Sequence, residues 1–124
     1  MLRWGGLGVM LVASGCAHPA QSQLQGRWFG DTVENIAPGE VATTTQWARA
    51  TSLEFAGSHL TVVIPAEEPR SGDFEIVAFD RGDVTLAVRN AAGERYKTEL
   101  SIDSEDRLRW HLGEGHWLVL RREL

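Results

Sequence analysis

Apolar and polar side chains alternate along most of the chain from Leu53 to Leu120. A period of two residues is typical of half-buried strands, because successive side chains of a strand point to opposite faces of its sheet. The pattern therefore predicts an all-β domain with one buried face. The side chains predicted to point inward are Leu53, Phe55, Leu60, Val62, Ile64, Phe74, Ile76, Ala78, Val84, Leu86, Val88, Tyr96, Thr98, Leu100, Ile102, Leu108, Trp110, Leu112, Leu118 and Leu120.

Short segments rich in glycine, aspartate, asparagine and serine separate these runs, at residues 56–58, 65–72, 80–83, 90–93, 103–106 and 113–115. Connections this short join antiparallel neighbours. A further strand near Arg27 to Glu34 brings the prediction to about eight strands in up-and-down order. Such a sheet removes its exposed edges by closing on itself, so we predict a single small antiparallel barrel.

Residues 38–49 fit two interpretations. Pro38, followed by glycine and glutamate, is typical of a helix start, and Val41, Thr44 and Ala48 would share one side of that helix. The three consecutive threonines at 43–45 are β-branched and favour a strand. The pattern leaves helix and strand open here.

The N-terminus carries an export signal. Arg3 precedes an apolar run from Leu7 to Ala13, which is too short to cross a bilayer of about 30 Å but long enough for the core of a signal peptide. The following residues 13–16, Ala-Ser-Gly-Cys, resemble the lipobox of bacterial lipoproteins, although leucine is commoner at the position of Ala13. The resemblance implies that residues 1–15 are a cleaved signal peptide and that Cys16, the only cysteine, receives the lipid, such as palmitate.

A lipid at Cys16 implies a membrane as partner, because several acyl chains give a stable anchor without a transmembrane helix. The resemblance implies the bacterial cell envelope as the location. Under the sorting pattern of enteric lipoproteins, Ala17 in place of aspartate after the cysteine implies the outer membrane. Residues 16–25 are polar and carry no periodic apolar pattern, so we assign them to a lipidated tether. The barrel domain is then expected to cover residues 26–124.

The two ends of the predicted barrel carry a second resemblance. Residues 24–30, Leu-Gln-Gly-Arg-Trp-Phe-Gly, resemble the Gly-x-Trp motif that opens lipocalin and lipocalin-like domains, and residues 118–122 resemble their closing strand. The resemblance implies that the first and last strands pair and that a cationic side chain of the closing strand lies across Trp28. Since Leu118 and Leu120 are expected inward, Arg122 shares their side and is the predicted cation.

Charge and motif content restrict the function classes. The chain has 17 acidic and 12 basic side chains, a formal net charge of −5 and no basic stripe, which argues against nucleic acid as a partner. Nucleophile-elbow, phosphate-loop and paired-carboxylate patterns are missing, so we expect no enzyme, no catalytic residues and no cofactor. His111 and His116 flank a turn with Glu114, but two surface histidines are the simpler interpretation, and we expect no metal site.

Aromatic side chains on the inward parity are the candidates for a ligand site. Eight-stranded barrels are just wide enough to be filled by side chains or to admit one small ligand. The leading prediction is a membrane-anchored lipocalin-like module that binds a small apolar ligand. The alternative is a non-enzymatic structural lipoprotein with a filled barrel that docks an envelope protein through an outer surface including Trp117. The candidate ligand-binding residues are Trp28, Phe55, Phe74, Tyr96 and Trp110.

Overall fold

The computed structural model describes residues 19–123, so the predicted signal peptide and Cys16 lie outside the described residues. Within them, eight antiparallel strands follow one another around a closed barrel, and the first strand pairs with the last. The predicted all-β, up-and-down barrel is confirmed. The strands are β1 (Gly26–Glu34), β2 (Ser52–Ala56), β3 (His59–Val63), β4 (Arg70–Asp80), β5 (Asp83–Asn90), β6 (Arg95–Ile102), β7 (Arg107–Gly113) and β8 (His116–Arg122).

The core follows the predicted alternation over most strands. Leu86 and Leu100 are at most 1% exposed, whereas Glu99 on the opposite face is exposed. Full burial of one such aliphatic side chain contributes about 1.5–3 kcal/mol relative to leaving it in water. The inward faces of the strands therefore supply most of the driving force for closing the barrel. The buried core residues on the strands are Trp28, Leu53, Phe55, Leu60, Phe74, Val84, Leu86, Val88, Leu100, Leu108, Leu118 and Leu120.

A β-bulge in β4 changes the alternation. The register with β5 shifts between Ile76 and Ala78, so that Ala78 lies opposite the outward-facing Thr85, and Phe79 lies opposite the buried Val84. The prediction that Ala78 points inward is therefore wrong. The extra residue of a bulge moves every later side chain of its strand to the other face.

Residues 38–49 are helical. A 3-10 turn at Pro38–Glu40 leads into helix α2 (Val41–Arg49), which packs on β1 with Ala48 fully buried. A Cβ added at Gly30 of β1 would lie 1.9 Å from the carbonyl oxygen of Ala48, so the glycine allows this close crossing. Packing against β1 thus outweighs the β preference of the threonines. A shorter helix, α1 (Pro19–Leu24), precedes β1.

The polar composition of residues 16–25 assigns them to the tether. Residues 19–24 instead form helix α1 (Pro19–Leu24). Ala20 and Leu24 are fully buried members of the barrel core. The packed domain therefore includes residues 19–24, and the tether assignment is wrong for them. The reason is that two apolar residues four positions apart bury one helical face without giving a longer periodic pattern.

The strand directions place the connections at two ends of the barrel. The end at which β1 begins carries α1, the C-terminus of β8 and the turns at 57–58, 81–82 and 103–106. We call it the α1 end. The opposite end, called the mouth end, carries α2, the loop at 64–69 and the turns at 91–94 and 114–115. Among residues 19–123, neither helix has the length and apolar character that crossing a membrane requires.

Candidate ligand cavity

A cavity of about 130 Å³ lies inside the barrel toward the mouth end. Ile64 and Arg70 flank the β3–β4 loop, and Tyr96 begins β6, so all three belong to this end. The Arg70 side chain is 64% exposed and Tyr96 is 46% exposed, which means that the cavity reaches solvent. The remaining lining residues are Leu53, Phe55, Leu60, Val62, Leu86, Thr98, Leu100 and Trp110.

Three of the five predicted ligand-binding aromatics line this cavity, namely Phe55, Tyr96 and Trp110. Phe74 does not line it, but its ring packs edge-on against Phe55 with 5.3 Å between centroids. Trp28 lies at the α1 end, where its indole Nε1 donates a hydrogen bond of 2.8 Å to the carbonyl oxygen of Leu24. The aromatics on one parity share the interior face but lie at different heights along the barrel axis.

The volume sets the size of a guest. A cavity of 130 Å³ is close to the roughly 150 Å³ apolar cavity that is known to hold benzene in an engineered protein, and below the roughly 300–1,000 Å³ typical of drug-sized ligands. The arrangement therefore suits a molecule of about one ring, or one end of a longer molecule that projects from the mouth.

Polar groups border the apolar wall at a few points. The indole Nε1 of Trp110 donates to the hydroxyl of Thr98 at 2.8 Å, and that hydroxyl can donate its own proton to a guest. Arg70 forms an ion pair with Glu67 in the β3–β4 loop at the mouth. An apolar interior with a polar rim orients an amphiphilic guest with its polar group toward water.

The structure brings Trp28 and Arg122 together at the α1 end. They are opposite each other in the β1–β8 ladder, and the guanidinium carbon of Arg122 lies 4.2 Å from the centroid of the Trp28 ring. The same guanidinium donates hydrogen bonds of 2.7 Å to the carbonyl oxygens of Gln23 and Glu105, and a further one to that of Gln25. Arg122 thus joins the last strand, the first strand and α1.

An outward-facing cluster on β7 and β8 was not predicted as a site, although the docking alternative places Trp117 on the outer surface. The rings of His111 and Trp117 lie 3.2 Å apart by their centroids, and the guanidinium carbon of Arg109 lies 4.6 Å from the Trp117 ring. Hydrogen bonds to Asp103 raise the pKa of Arg109, and desolvation lowers the pKa of His111 although Glu99 opposes this shift. The shared outward parity of these residues on adjacent strands was the sequence signal for the cluster.

The three described histidines, His59, His111 and His116, do not combine into a metal centre. Within residues 19–123, His, Cys, Asp and Glu side chains nowhere gather in the groups of three that could hold a metal ion. His111 instead packs on Trp117 and lies 3.5 Å from a carboxylate oxygen of Glu99. His116 begins the next strand, with its Nδ1 buried and without a hydrogen-bond partner among the described residues.

Comparison with known proteins identifies the fold. No protein-family model and no curated protein matches this sequence. A solved structure, that of a lipocalin-like protein from Bacteroides uniformis, matches with a TM-score of 0.52 over 82% of this chain and 99% of that chain. The domain has a lipocalin-like fold. The predicted lipocalin-like barrel is confirmed, and at 11% sequence identity the likeness concerns the fold alone.

Proposed function

We propose that this chain is a lipid-anchored protein of the bacterial cell envelope whose lipocalin-like barrel binds a small apolar ligand without covalent chemistry. The observation that carries the ligand proposal is the apolar cavity of about 130 Å³ that reaches solvent at the mouth end. Burying a single phenyl-sized group removes roughly 150–250 Å² from water, which corresponds to about 4–6 kcal/mol before the costs of association. We therefore expect weak binding of one-ring guests, with a dissociation constant of about 1 mM or higher.

The ligand proposal is tested by titrating the protein with toluene, indole and benzyl alcohol while recording the tryptophan fluorescence. Trp110 lines the cavity, so a guest should change its emission with a saturable dependence on concentration. Val62→Phe should fill the cavity and abolish this response, because Val62 belongs to its wall. Val63→Phe is the matched control, since the neighbouring side chain of a strand points to the other face.

Two results would refute ligand binding in this cavity. One is the lack of a saturable response to any of the three compounds. The other is an unchanged response in a folded Val62→Phe variant, with folding checked by circular dichroism. The folded Val63→Phe variant should keep the response, because its side chain is not part of the cavity wall.

The anchor proposal rests on the lipobox resemblance of residues 13–16, with Cys16 as the acylated residue. The outer membrane is the proposed location because alanine follows the cysteine. Full-length protein should fractionate with membranes, and the mass of the mature protein should include acyl chains. Cys16→Ser should remove both properties, and a mature protein without acyl mass would refute the anchor.

The alternative function is docking of an envelope protein by a barrel that needs no guest. It is favoured by the filled α1 half of the interior and by exposed apolar side chains on the outside, where Phe29 is 39% exposed and Val77 is 46% exposed. Exposed apolar side chains of this kind can supply the apolar contacts of a protein interface. A negative result in the ligand titration favours this alternative.

A further inference from the structure

Helix α1 is firmly part of the barrel domain. The side-chain amide of Gln25, the residue after the helix, exchanges two hydrogen bonds with the backbone of Gly57, of 2.8 and 2.7 Å. The carbonyl oxygen of Leu24 accepts from Trp28, and that of Gln23 accepts from Arg122. Together with the buried side chains of Ala20 and Leu24, these contacts hold α1 across one end of the barrel.

Very little chain separates this helix from the proposed lipid. Cys16 and Pro19 are three residues apart, and fully extended chain spans at most about 3.3–3.6 Å per residue, or about 11 Å in all. An acylated cysteine lies at the membrane surface. The first residue of α1 is therefore held within about 11 Å of that surface.

The cavity mouth is at the other end of the domain. Strand β5, of eight residues, runs from the α1 end to the mouth end. With a rise of about 3.3 Å per residue and a strand tilt of about 40°, the two ends are about 20 Å apart along the barrel axis. The short connection cannot bridge that distance, so the mouth cannot replace α1 at the membrane surface.

We infer that the α1 end of the barrel faces the membrane and that the mouth of the cavity faces away from it, toward the aqueous phase. This inference rests on the proposed lipid anchor at Cys16. The orientation makes the lipid surface the partner of α1 and the turn beside it. It also means that a guest enters the cavity from water and does not pass laterally from the bilayer.

Charge does not hold the α1 end against a membrane. The end of β4 and the turns here carry Asp80, Asp103, Glu105 and Asp106 against Arg81, an acidic excess that anionic lipid headgroups repel. The orientation therefore follows from the length of the connection. Vesicles of the zwitterionic lipid phosphatidylcholine isolate this effect.

The test compares two exposed turns on the acylated, full-length protein. Ser58→Cys labels the turn beside α1, and Ala92→Cys labels the turn between β5 and β6 at the mouth end. Neither side chain lines the cavity, and acylation leaves the new cysteine as the only thiol. Each variant receives the same fluorophore and is reconstituted with headgroup-nitroxide phosphatidylcholine. With the ends about 20 Å apart, quenching at position 58 should exceed that at position 92 by about twofold or more.

A linker variant provides the control for the connection. Twenty glycine and serine residues inserted between His18 and Pro19 reach roughly 25 Å on average, so quenching at the two positions should become similar. Equal quenching in the acylated protein without the insertion, or stronger quenching at position 92, would overturn the orientation and leave the anchor intact. A mature protein without acyl mass would overturn the anchor and the orientation together.

Discussion

Replacing Arg122 by methionine should destabilise the domain by about 2–4 kcal/mol. The change removes three hydrogen bonds to carbonyl oxygens, each worth about 0.5–1.5 kcal/mol, and a cation–π contact worth about 0.5–2 kcal/mol. The lower part of the summed range applies because two of the three hydrogen bonds are exposed to water. Methionine keeps most of the apolar stem, so packing of the stem changes little.

Arg121 supplies the matched control. Its side chain is 59% exposed and contacts Asp31 at 3.4 Å, and an exposed ion pair of this kind contributes about 0–1 kcal/mol. Arg121→Met should therefore shift the free energy of unfolding much less than Arg122→Met. Urea denaturation monitored by circular dichroism measures both.

A double-mutant cycle separates the stacking contact from the hydrogen bonds. Trp28→Leu removes the ring under the guanidinium, so Arg122→Met should cost less in that background, with a coupling energy of about 0.5–2 kcal/mol. Additive losses would refute the stacking contribution. Equal losses for Arg121→Met and Arg122→Met would refute the whole assignment of Arg122 to barrel closure.

Three further perturbations test the fold and its pH response by urea denaturation. Gly30→Ala should lower the free energy of unfolding by at least about 2 kcal/mol, because its Cβ would meet the backbone of α2 at 1.9 Å. Gly39→Ala, where an added Cβ has no atom within 4 Å, should change it by at most about 0.5 kcal/mol. Similar losses would contradict the close crossing. Leu86→Glu should lower the free energy of unfolding by at least about 3 kcal/mol, because it buries an unpaired charge. Thr85→Glu on the outer face should lower it by under about 1 kcal/mol. The reverse order would contradict the assignment of the two faces. Burial lowers the pKa of His111, so the unfolded chain takes up a proton before the folded one as the pH falls through about 6.5, and the folded state loses stability. His111→Asn should reduce this loss of stability between about pH 7.5 and about pH 5.5. An unchanged loss would contradict the lowered pKa.

The alternation of side chains predicted the barrel because each of its strands buries one face. It could not predict the bulge in β4, because residues 76–79 are all apolar and do not show which face each side chain takes. Only the pairing with β5 shows Val77 as the extra residue. Helix α1 was missed because two apolar residues in one turn give too short a periodic signal. The state of residues 38–49 depended on contact with Gly30, which is a tertiary effect.

The candidate site could be predicted only in part for a related reason. Parity tells which face of a strand a side chain occupies, and it correctly placed Phe55, Tyr96 and Trp110 inside the barrel around the cavity. Height along the axis depends on strand tilt and register, which a single sequence does not contain. Trp28 and Phe74 consequently share the interior face but fill other parts of it.

The pairing of β1 with β8 has a consequence for the order of folding. Seven of the eight ladders join strands that follow one another in the chain, and only this one joins its two ends. Arg122 bonds to residues 97 and 99 positions earlier. Hairpins between consecutive strands close short loops at low entropic cost, whereas this seam must bring together segments separated by nearly the whole domain. The seam, with α1 packed over it, therefore carries the largest loop-closure cost among the eight ladders, and we expect it to form last.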